Sequence, residues 1–302
     1  MSIESLNCII PAAGEATRLR PHSHVEQKPA MLMGSPTTRI IDFALDFAKT
    51  ADEIHVITHH DEQRTQTLDK HISSQDNIHM IRDRALMGAA SLIEYADRLF
   101  ENHPDGSCAI VSADHIIQGI SLREMQLQHI ENSYDITMLT STQKSYGQYV
   151  ETDGIAATRM SDRPIEGSVS STGIYLIKNT YMREWAARER ANGWSGESRS
   201  LLQSVIRPSI TDGHVATFSL PETAYWADAG TLKRYHYNNM RFSGGANVIS
   251  KEATVHPDAK VRRSVILGRT AVSAGAMIES AIVSGTGTSL HITKVGRDDS
   301  QR

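Results

Sequence analysis

Short apolar runs alternate with amphipathic segments along most of this chain, and this alternation limits the folds open to it more than any other feature. An apolar run at Leu6–Pro11 precedes a helical pattern over residues 38–49. A second run, 53–58, precedes a helical pattern over 61–72. Strands and helices in alternation predict an α/β fold with a doubly wound, mostly parallel sheet. In such a sheet, ligands bind beyond the carboxyl ends of the strands.

The same pattern continues to about residue 240. Further strands are predicted over residues 79–82, 107–112, 135–141, 173–177 and 216–220, and further helices over 89–100, 122–132, 182–192 and 231–240. Residues 147–157 predict a hairpin, or a strand with a turn at Asp153 and Gly154.

The pattern changes after the glycine-containing stretch 243–245. Apolar residues then recur every six positions with one slip of a residue, at Ile249, Val255, Val261, Ile266, Val272 and Ile278. A six-residue period with small residues between is typical of a parallel β-helix, here of roughly two coils, which needs to pack on the first domain or on another subunit. We therefore expect a catalytic domain over 1–242, a short β-helix over 246–284 and a flexible polar tail over 285–302.

Composition excludes several classes of function. The chain has 31 basic and 35 acidic residues and a formal net charge of -4, so no basic field favours nucleic acid as a partner. Both cysteines, Cys8 and Cys108, lie in apolar runs and are predicted to be buried free thiols. No apolar stretch reaches the length of a membrane span and no signal-peptide pattern begins the chain, so a cytoplasmic protein is expected.

A loop of small residues follows the first strand. Its sequence, AAGEATR from Ala12 to Arg18, would let backbone N–H groups approach phosphate oxygens closely. Arg18 adds a permanently charged fork suited to phosphate, and Lys28 adds a mobile charge. On its own, however, such a loop equally fits an ordinary tight turn between a strand and a helix.

Two aspartates follow later strands. Asp114 and Asp228 would together bind Mg²⁺ if the strand ends bring them close. The alternative is that each is a helix cap or a turn residue, and Asp228 precedes a predicted helix. The 14 histidines are scattered, without a metalloenzyme spacing, and most are predicted to be surface or loop residues.

Taken in order, these motifs resemble the sugar-1-phosphate nucleotidyltransferases, most closely ADP-glucose pyrophosphorylase. The supporting strings are AAGEATRLRP with KPA, SADHII, TGIYLI, YWADAGT and the six-residue repeat, and they span nearly the whole chain. The resemblance implies a Rossmann-like domain followed by a left-handed β-helix. It also implies the reaction: a sugar 1-phosphate oxygen attacks the α-phosphate of a nucleoside triphosphate, and pyrophosphate leaves with the help of Mg²⁺.

The resemblance assigns roles to individual residues. Arg18 would steady the triphosphate, Lys28 would touch the reacting phosphates, and Asp114 with Asp228 would hold the metal. The nucleotide would lie against Ala12, Ala13, Gly14, Glu15, Ala16, Thr17, Arg18 and Gly88. The sugar side would involve Tyr146, Gly147, Asp162, Arg163, Thr172 and Gly173.

The chain also departs from the family pattern. Ala16 replaces the second loop glycine, which narrows the permitted backbone angles. Ala113 replaces the glycine before the first aspartate. Near the nucleotide base, Met87-Gly88-Ala89 stands where the family has Gly-Thr-Ala. On the sugar side, Asp162-Arg163 replaces Glu-Lys, and arginine is not equivalent to lysine there.

These departures leave the substrate open. ADP-glucose synthesis is the first hypothesis; a cyclitol phosphate acceptor, or mannose 1-phosphate with GTP, are alternatives within the class. A non-catalytic subunit that binds a nucleotide sugar is the competing class. A hexapeptide-repeat acyltransferase would need a longer β-helix than this one. The expected assembly is a homo-oligomer, a dimer or a tetramer.

Overall fold

The computed structural model describes residues 4–73, 77–83, 103–143, 147–193, 200–286 and 289–295. Its first eleven strands are β1 (Leu6–Pro11), β2 (Glu53–His59), β3 (Ile78–Asp83), β4 (Ser107–Ile110), β5 (His115–Gln118), β6 (Ile136–Ser141), β7 (Tyr149–Asp153), β8 (Ala156–Ser161), β9 (Val169–Lys178), β10 (Val215–Ser219) and β11 (Tyr225–Asp228). Nine of them form one sheet in the order β3-β2-β1-β4-β9-β6-β10-β8-β7, and β5 pairs with β11 separately.

Strand direction in the large sheet is mostly parallel, as predicted. β1 pairs in parallel with both β2 and β4, so that Cys8 lies between Ile54 and Ala109. β9 runs the opposite way between β4 and β6, and β7 and β8 form the hairpin predicted at Asp153 and Gly154. The periodicity of the sequence locates a strand but carries no information on its direction, so the reversed β9 was not predicted.

Helices cover both faces of this sheet. They are α1 (Ile40–Ala48), α2 (Glu62–Ile72), α3 (Leu122–Asn132), α4 (Asn179–Ala191), α5 (Arg207–Thr211) and α6 (Leu232–Phe242). Ile41, Leu68 and Met125 pack on one face, and Trp185 packs on the other. The helix predicted over 89–100 lies outside the described residues. None of the described helices combines the length and the apolar character needed to cross a bilayer.

The two cysteines are buried, as predicted. Cys8 and Cys108 are at most 1% exposed and belong to the cores on opposite faces of the sheet. Burial raises the pKa of both thiols because it penalises the charged thiolate. These residues therefore act as small core side chains.

The six-residue pattern corresponds to a stack of short parallel strands. These are β12 (Val248–Ile249), β13 (Thr254–Val255), β14 (Lys260–Arg262), β15 (Val265–Ile266), β16 (Ala271–Val272) and β17 (Met277–Glu279). Val248 pairs with Val265, Thr254 with Ala271 and Lys260 with Met277, always 17 positions along the chain. A 17-residue repeat contains two steps of six and one of five, which accounts for the slip in the period. The left-handed β-helix itself stays a prediction.

The tail after residue 285 was predicted to be flexible, and its first part is instead a strand. β18 (Ala281–Thr286) and β19 (Ser289–Lys294) pair antiparallel, with Ser284 opposite His291. The prediction failed because the Gly/Ser/Thr-rich composition conceals an alternation of Leu290, Ile292 and polar neighbours. Residues 296–302 lie outside the described part of the chain.

The strand stack packs directly on the first domain. Val248, Val265 and Ile282 share a buried cluster with Leu19 and Tyr235, which belong to the first domain. The Tyr235 hydroxyl also donates a hydrogen bond to the Leu32 carbonyl over 2.7 Å. The stack therefore buries its apolar edge against the segment that follows the small-residue loop.

Two buried histidines make the stability of the fold depend on pH. His22 is 0% exposed and His129 is 1% exposed, and burial lowers the pKa of each from 6.5 to about 4. The unfolded chain therefore binds more protons than the folded chain between these values. Lowering the pH below 6.5 should then remove about 1.4 kcal/mol of stability per pH unit and per fully titrating histidine.

Urea unfolding at pH 7, 6 and 5 checks this expectation above the range where carboxylates titrate. His129→Gln should reduce the slope of unfolding free energy against pH. His256→Gln, at an exposed position, is the matched control and should leave the slope unchanged. Equal slopes for all three proteins would contradict the assignment.

Candidate active site

The small-residue loop after β1, residues 12–18, is held at its base and open at its tip. The Ala12 N–H donates to the Ile57 carbonyl over 2.7 Å, and the Gln27 amide donates to the Ala12 carbonyl over 2.8 Å. Gly14 is exposed, and a Cβ placed there would meet nothing within 4 Å. The tip of the loop therefore has room for a ligand against its backbone.

Ala16 adopts the left-handed backbone conformation that glycine prefers. Its φ is 48° and its ψ is 38°, and it starts the 3-10 turn Thr17–Leu19. Its carbonyl accepts hydrogen bonds from the Leu19 N–H and from the Ser23 hydroxyl, both over 3.0 Å. Alanine in this conformation costs about 1 kcal/mol more than glycine. Ala16, which stands where the resemblance places a glycine, therefore holds a strained backbone conformation.

Glu15 points towards α2 and is tied by basic groups. Arg64 donates to its carboxylate over 2.8 Å, and Arg20 lies 3.4 Å away. The hydrogen bond from Arg64 is the largest cause of the lowered pKa of Glu15. His59 Nε2 lies 3.3 Å from the same carboxylate, and its Nδ1 accepts from the Asp61 N–H over 3.0 Å. His59 ends β2 and is only 4% exposed, although most histidines were predicted to be surface or loop residues.

Lys28 and Asp114 form an ion pair beside this loop. Lys28 begins the turn Lys28–Ala30, and its ammonium group donates to one carboxylate oxygen of Asp114. The Ser112 hydroxyl donates to the other oxygen over 2.6 Å. Burial would raise the pKa of Asp114, but the charge of Lys28 and these hydrogen bonds outweigh it and hold the pKa well below its usual range. Asp114 is therefore an anion at neutral pH.

Asp228 ends β11 and is also paired with a cation. The Gly230 N–H donates to one carboxylate oxygen over 2.6 Å, and Arg234 donates to the other. The bond from the Gly230 N–H fixes the carboxylate of Asp228 directly after β11, and the metal-ligand role of Asp228 stays a prediction. Its interpretation as a helix cap is wrong, because the Thr231 hydroxyl caps α6 by accepting from the Arg234 N–H.

The pairing of β5 with β11 brings the two aspartates together. His115, the neighbour of Asp114, lies opposite Asp228 in the register, and the Ala229 N–H donates to the Asp114 carbonyl over 3.0 Å. A Cβ on Gly230 would lie 2.5 Å from Asp228 Oδ1 and 3.3 Å from Arg18 Nη2. Arg18 therefore lies beside Gly230 and Asp228.

Gly173 borders this cluster through His115. Gly173 has a φ of +79°, and a Cβ there would lie 3.3 Å from His115 Cε1. The other side of the imidazole packs edge-on against Trp226, with ring centroids 6.0 Å apart. The neighbouring Thr172 is buried, and its hydroxyl donates to the Leu139 carbonyl over 2.8 Å. Thr172 thus shapes the strand, whereas Gly173 lets the strand approach the site closely.

The other predicted sugar-side residues lie apart from the aspartates. Asp162 and Arg163 are exposed after β8, and Arg207 binds Asp162 over 2.6 Å. The same guanidinium binds Gln148 over 2.6 Å, next to the exposed Gly147. Among the described residues, no hydrogen bond joins this group to Asp114 or Asp228. The remaining predicted residues, Tyr146, Met87 and Gly88, lie outside the described residues.

Three further residues of the site were not predicted from the sequence: Arg234, Ser112 and Arg64. Arg234 lies in the first turn of α6, three residues after its cap, and this spacing turns it back towards the end of β11. Ser112 lies two residues before Asp114, and the His115 N–H donates to the Ser112 carbonyl over 3.1 Å, which closes a turn that brings the Ser112 hydroxyl to Asp114. These spacings were available in the sequence, but the contact of Arg64 with Glu15 depends on the packing of α2.

The donor set suits a hard cation. Asp114 and Asp228 are brought close through their backbones, and each carboxylate keeps lone pairs beside those used by its bonded partners. Mg²⁺ is usually held by one or two carboxylates plus water and phosphate oxygens, so the pair fits it. Within the described ranges, no group of three or more His, Cys, Asp or Glu forms a full metal cage.

Known proteins are similar to this chain in sequence. The family model described as nucleotidyl transferase matches residues 7–243. Two similar curated proteins are the glucose-1-phosphate adenylyltransferases of Streptomyces avermitilis, 24% identical over 275 residues, and of Photobacterium profundum, 26% identical over 275 residues. The alignments cover 77% of this chain and 66% and 65% of those proteins. The chain thus spans about two thirds of the length of these relatives.

A solved structure resembles the fold. It is the crystal structure of mannose-1-phosphate geranyltransferase from Thermus thermophilus, with a TM-score of 0.67. The match covers 96% of this chain and 95% of that one at 16% sequence identity. Similarity at this identity concerns the fold alone.

Ala16→Gly should stabilise the protein. Glycine adopts the left-handed conformation without the Cβ penalty, so the free energy of unfolding should rise by about 1 kcal/mol. Denaturant unfolding measures it. Ala13→Gly, in the same loop and without positive φ, is the matched control and should be destabilising by about 0.5–1 kcal/mol. A loss of stability in Ala16→Gly would contradict the strain.

Proposed function

Because the chain belongs to the nucleotidyl transferase family, we propose that it joins a nucleoside triphosphate to a sugar 1-phosphate and releases pyrophosphate. The observation that supports this most directly is the meeting of Arg18, the Lys28–Asp114 pair and Asp228 beside the loop 12–18. The cationic side chains of Arg18 and Lys28 and the exposed backbone of the loop lie close together, as the binding of a polyphosphate requires.

The proposed chemistry is a phosphoryl transfer that relies on positioning and charge. An oxygen of the sugar 1-phosphate attacks the α-phosphorus while the bond from that phosphorus to the bridging oxygen breaks, and the electron pair leaves with pyrophosphate. Arg18 and Lys28 balance charge on the phosphates and orient them. Lys28 remains fixed by Asp114, so its ammonium group needs little reorganisation when the nucleotide arrives.

A divalent ion completes this proposal. Asp114 and Asp228 would hold it, and when bound it would neutralise negative charge on the triphosphate and the leaving pyrophosphate. Arg234 and the Gly230 N–H hold the Asp228 carboxylate in one orientation. We propose Mg²⁺ because the two-carboxylate donor set suits it.

The proposed substrates are those of an ADP-glucose-pyrophosphorylase-like enzyme. The two curated relatives reported above are named glucose-1-phosphate adenylyltransferases, and they are 24% and 26% identical to this chain. A cyclitol phosphate, or mannose 1-phosphate with GTP, is the alternative, since Arg163 replaces lysine on the sugar side. A non-catalytic subunit is disfavoured because Arg18, Lys28, Asp114 and Asp228 are all present. A cytoplasmic homo-oligomer with a left-handed C-terminal β-helix completes the proposal.

A pyrophosphate-release assay over a matrix of nucleoside triphosphates and sugar or cyclitol phosphates, with and without Mg²⁺, tests the function. We expect release with one nucleotide and one acceptor class, dependent on the metal. Nucleotide-sugar binding without release across the full matrix would favour the non-catalytic subunit instead.

Asp114→Asn should remove most of the metal-dependent rate. The amide keeps the size of the side chain but loses the charge, so kcat should fall by at least about a hundredfold. Asp46→Asn, at an exposed carboxylate on α1, is the matched control and should retain full activity. Full activity in Asp114→Asn would show that the metal assignment is wrong.

Gly14→Ala separates binding from folding. A Cβ at Gly14 meets nothing within 4 Å, so the unfolding midpoint should stay close to that of the original protein. A nucleotide lying against the loop would meet the new methyl group, so its dissociation constant should rise about tenfold or more. Titration calorimetry with the active nucleotide measures it, and unchanged affinity would remove Gly14 from the binding surface.

A further inference from the structure

His22 joins the segment after the loop 12–18 to the C-terminal hairpin formed by β18 and β19. Its Nδ1 lies 2.7 Å from the Ser284 hydroxyl on β18, and its Nε2 lies 2.9 Å from the Thr293 hydroxyl on β19. The imidazole is fully buried. Hydroxyl groups donate or accept, so both ring nitrogens are satisfied in either neutral tautomer.

Ser23, the next residue, reaches the opposite way. Its hydroxyl donates to the Ala16 carbonyl over 3.0 Å, and Ser23 is only 6% exposed. His22 and Ser23 share the 3-10 turn His22–His24, so a displacement of one displaces the other. The hydrogen bonds of His22 and of Ser23, together with the backbone that joins these two residues, therefore connect the hairpin to Ala16, the strained residue of the loop.

The two ends of the loop depend on different parts of the fold. The Ala12 end is fixed by β2 and by Gln27. The Ala16 end is fixed by the local 3-10 turn and by Ser23. Since Ala16 is held in a conformation that alanine disfavours, this end needs support from outside the loop more than the other end does.

We propose that the C-terminal hairpin positions the loop 12–18 through His22 and Ser23, and thereby sets the affinity for the phosphate groups of the nucleotide. The inference rests on the proposed function, since it assigns phosphate binding to this loop. His22 and Ser23 are positioning residues that act through Ala16. If the hairpin no longer holds His22, the loop spends a smaller fraction of the time in its binding conformation. The apparent affinity then falls in proportion to that fraction.

Thr293→Val tests the path at its far end. Valine has nearly the shape of threonine but removes the partner of His22 Nε2. Hydrogen exchange of the protein without ligand should then show faster exchange at the amides of residues 14–25, by about threefold to tenfold, as expected for the loss of one hydrogen bond. Thr254→Val, the same change at an exposed position on β13, is the matched control and should leave this segment unchanged.

Binding of pyrophosphate with Mg²⁺, measured by calorimetry, provides the second readout and does not require the base to be known. Thr293→Val should weaken it by about threefold to tenfold. In activity assays of Thr293→Val, the KM for the nucleotide should rise. The kcat and the KM for the sugar phosphate should stay within about twofold of the values of the original protein.

Ser23→Ala interrupts the same path at its near end. Because the two contacts act in series, the double variant Thr293→Val with Ser23→Ala should weaken pyrophosphate binding no more than the stronger single variant does. Fully additive losses, or unchanged exchange over residues 14–25 in a folded Thr293→Val protein, would overturn the inference. Failure of the original protein to bind pyrophosphate would instead overturn the proposed function and leave the exchange result to decide the positioning role.

Discussion

The pairing of β5 with β11 is the constraint on which the candidate site depends. It places two carboxylates at neighbouring strand ends, where unpaired charges in largely buried positions would be costly. Lys28 pairs with Asp114 and Arg234 pairs with Asp228, so each carboxylate has a cationic partner. The same arrangement leaves Arg18 beside Asp228, within reach of any anion that enters. The proposed divalent ion would bind between these two carboxylates, and the proposed polyphosphate would bind the basic groups beside them.

Much of this arrangement could be predicted from the sequence, because the helices and most strands of the large sheet have clear periods. β1 and α3 begin and end at the predicted residues. β5 and β11 were not predicted, although they carry the site, because each has only four residues and lies next to a turn. Their partners are more than a hundred positions apart, and no local pattern encodes such a pairing. Asp114 was found because it follows a predicted strand, and Asp228 was found in the string before a predicted helix. The spacing that turns Arg234 towards Asp228 was present in the sequence but was not used.

The C-terminal segment shows the same division between local pattern and long-range contact. The six apolar positions of the repeat lie on six successive short strands, and their side chains meet in one cluster. The slip in the period follows from the 17-residue repeat. The hairpin of β18 and β19 was missed because polar composition outweighed the alternation of Leu290 and Ile292. Its role could not be read from composition, since Thr293 and His22 are 271 positions apart.

The strain at Ala16 connects these observations. A loop that approaches phosphate closely benefits from small residues, and alanine satisfies this at the cost of a disfavoured backbone conformation. Such a conformation persists only where the surroundings fix it. The surroundings here are Leu19, packed against the strand stack, and Ser23, which follows His22. The stack and hairpin thus contribute to the loop itself, so the two parts of the chain form one functional unit although they follow different sequence periods.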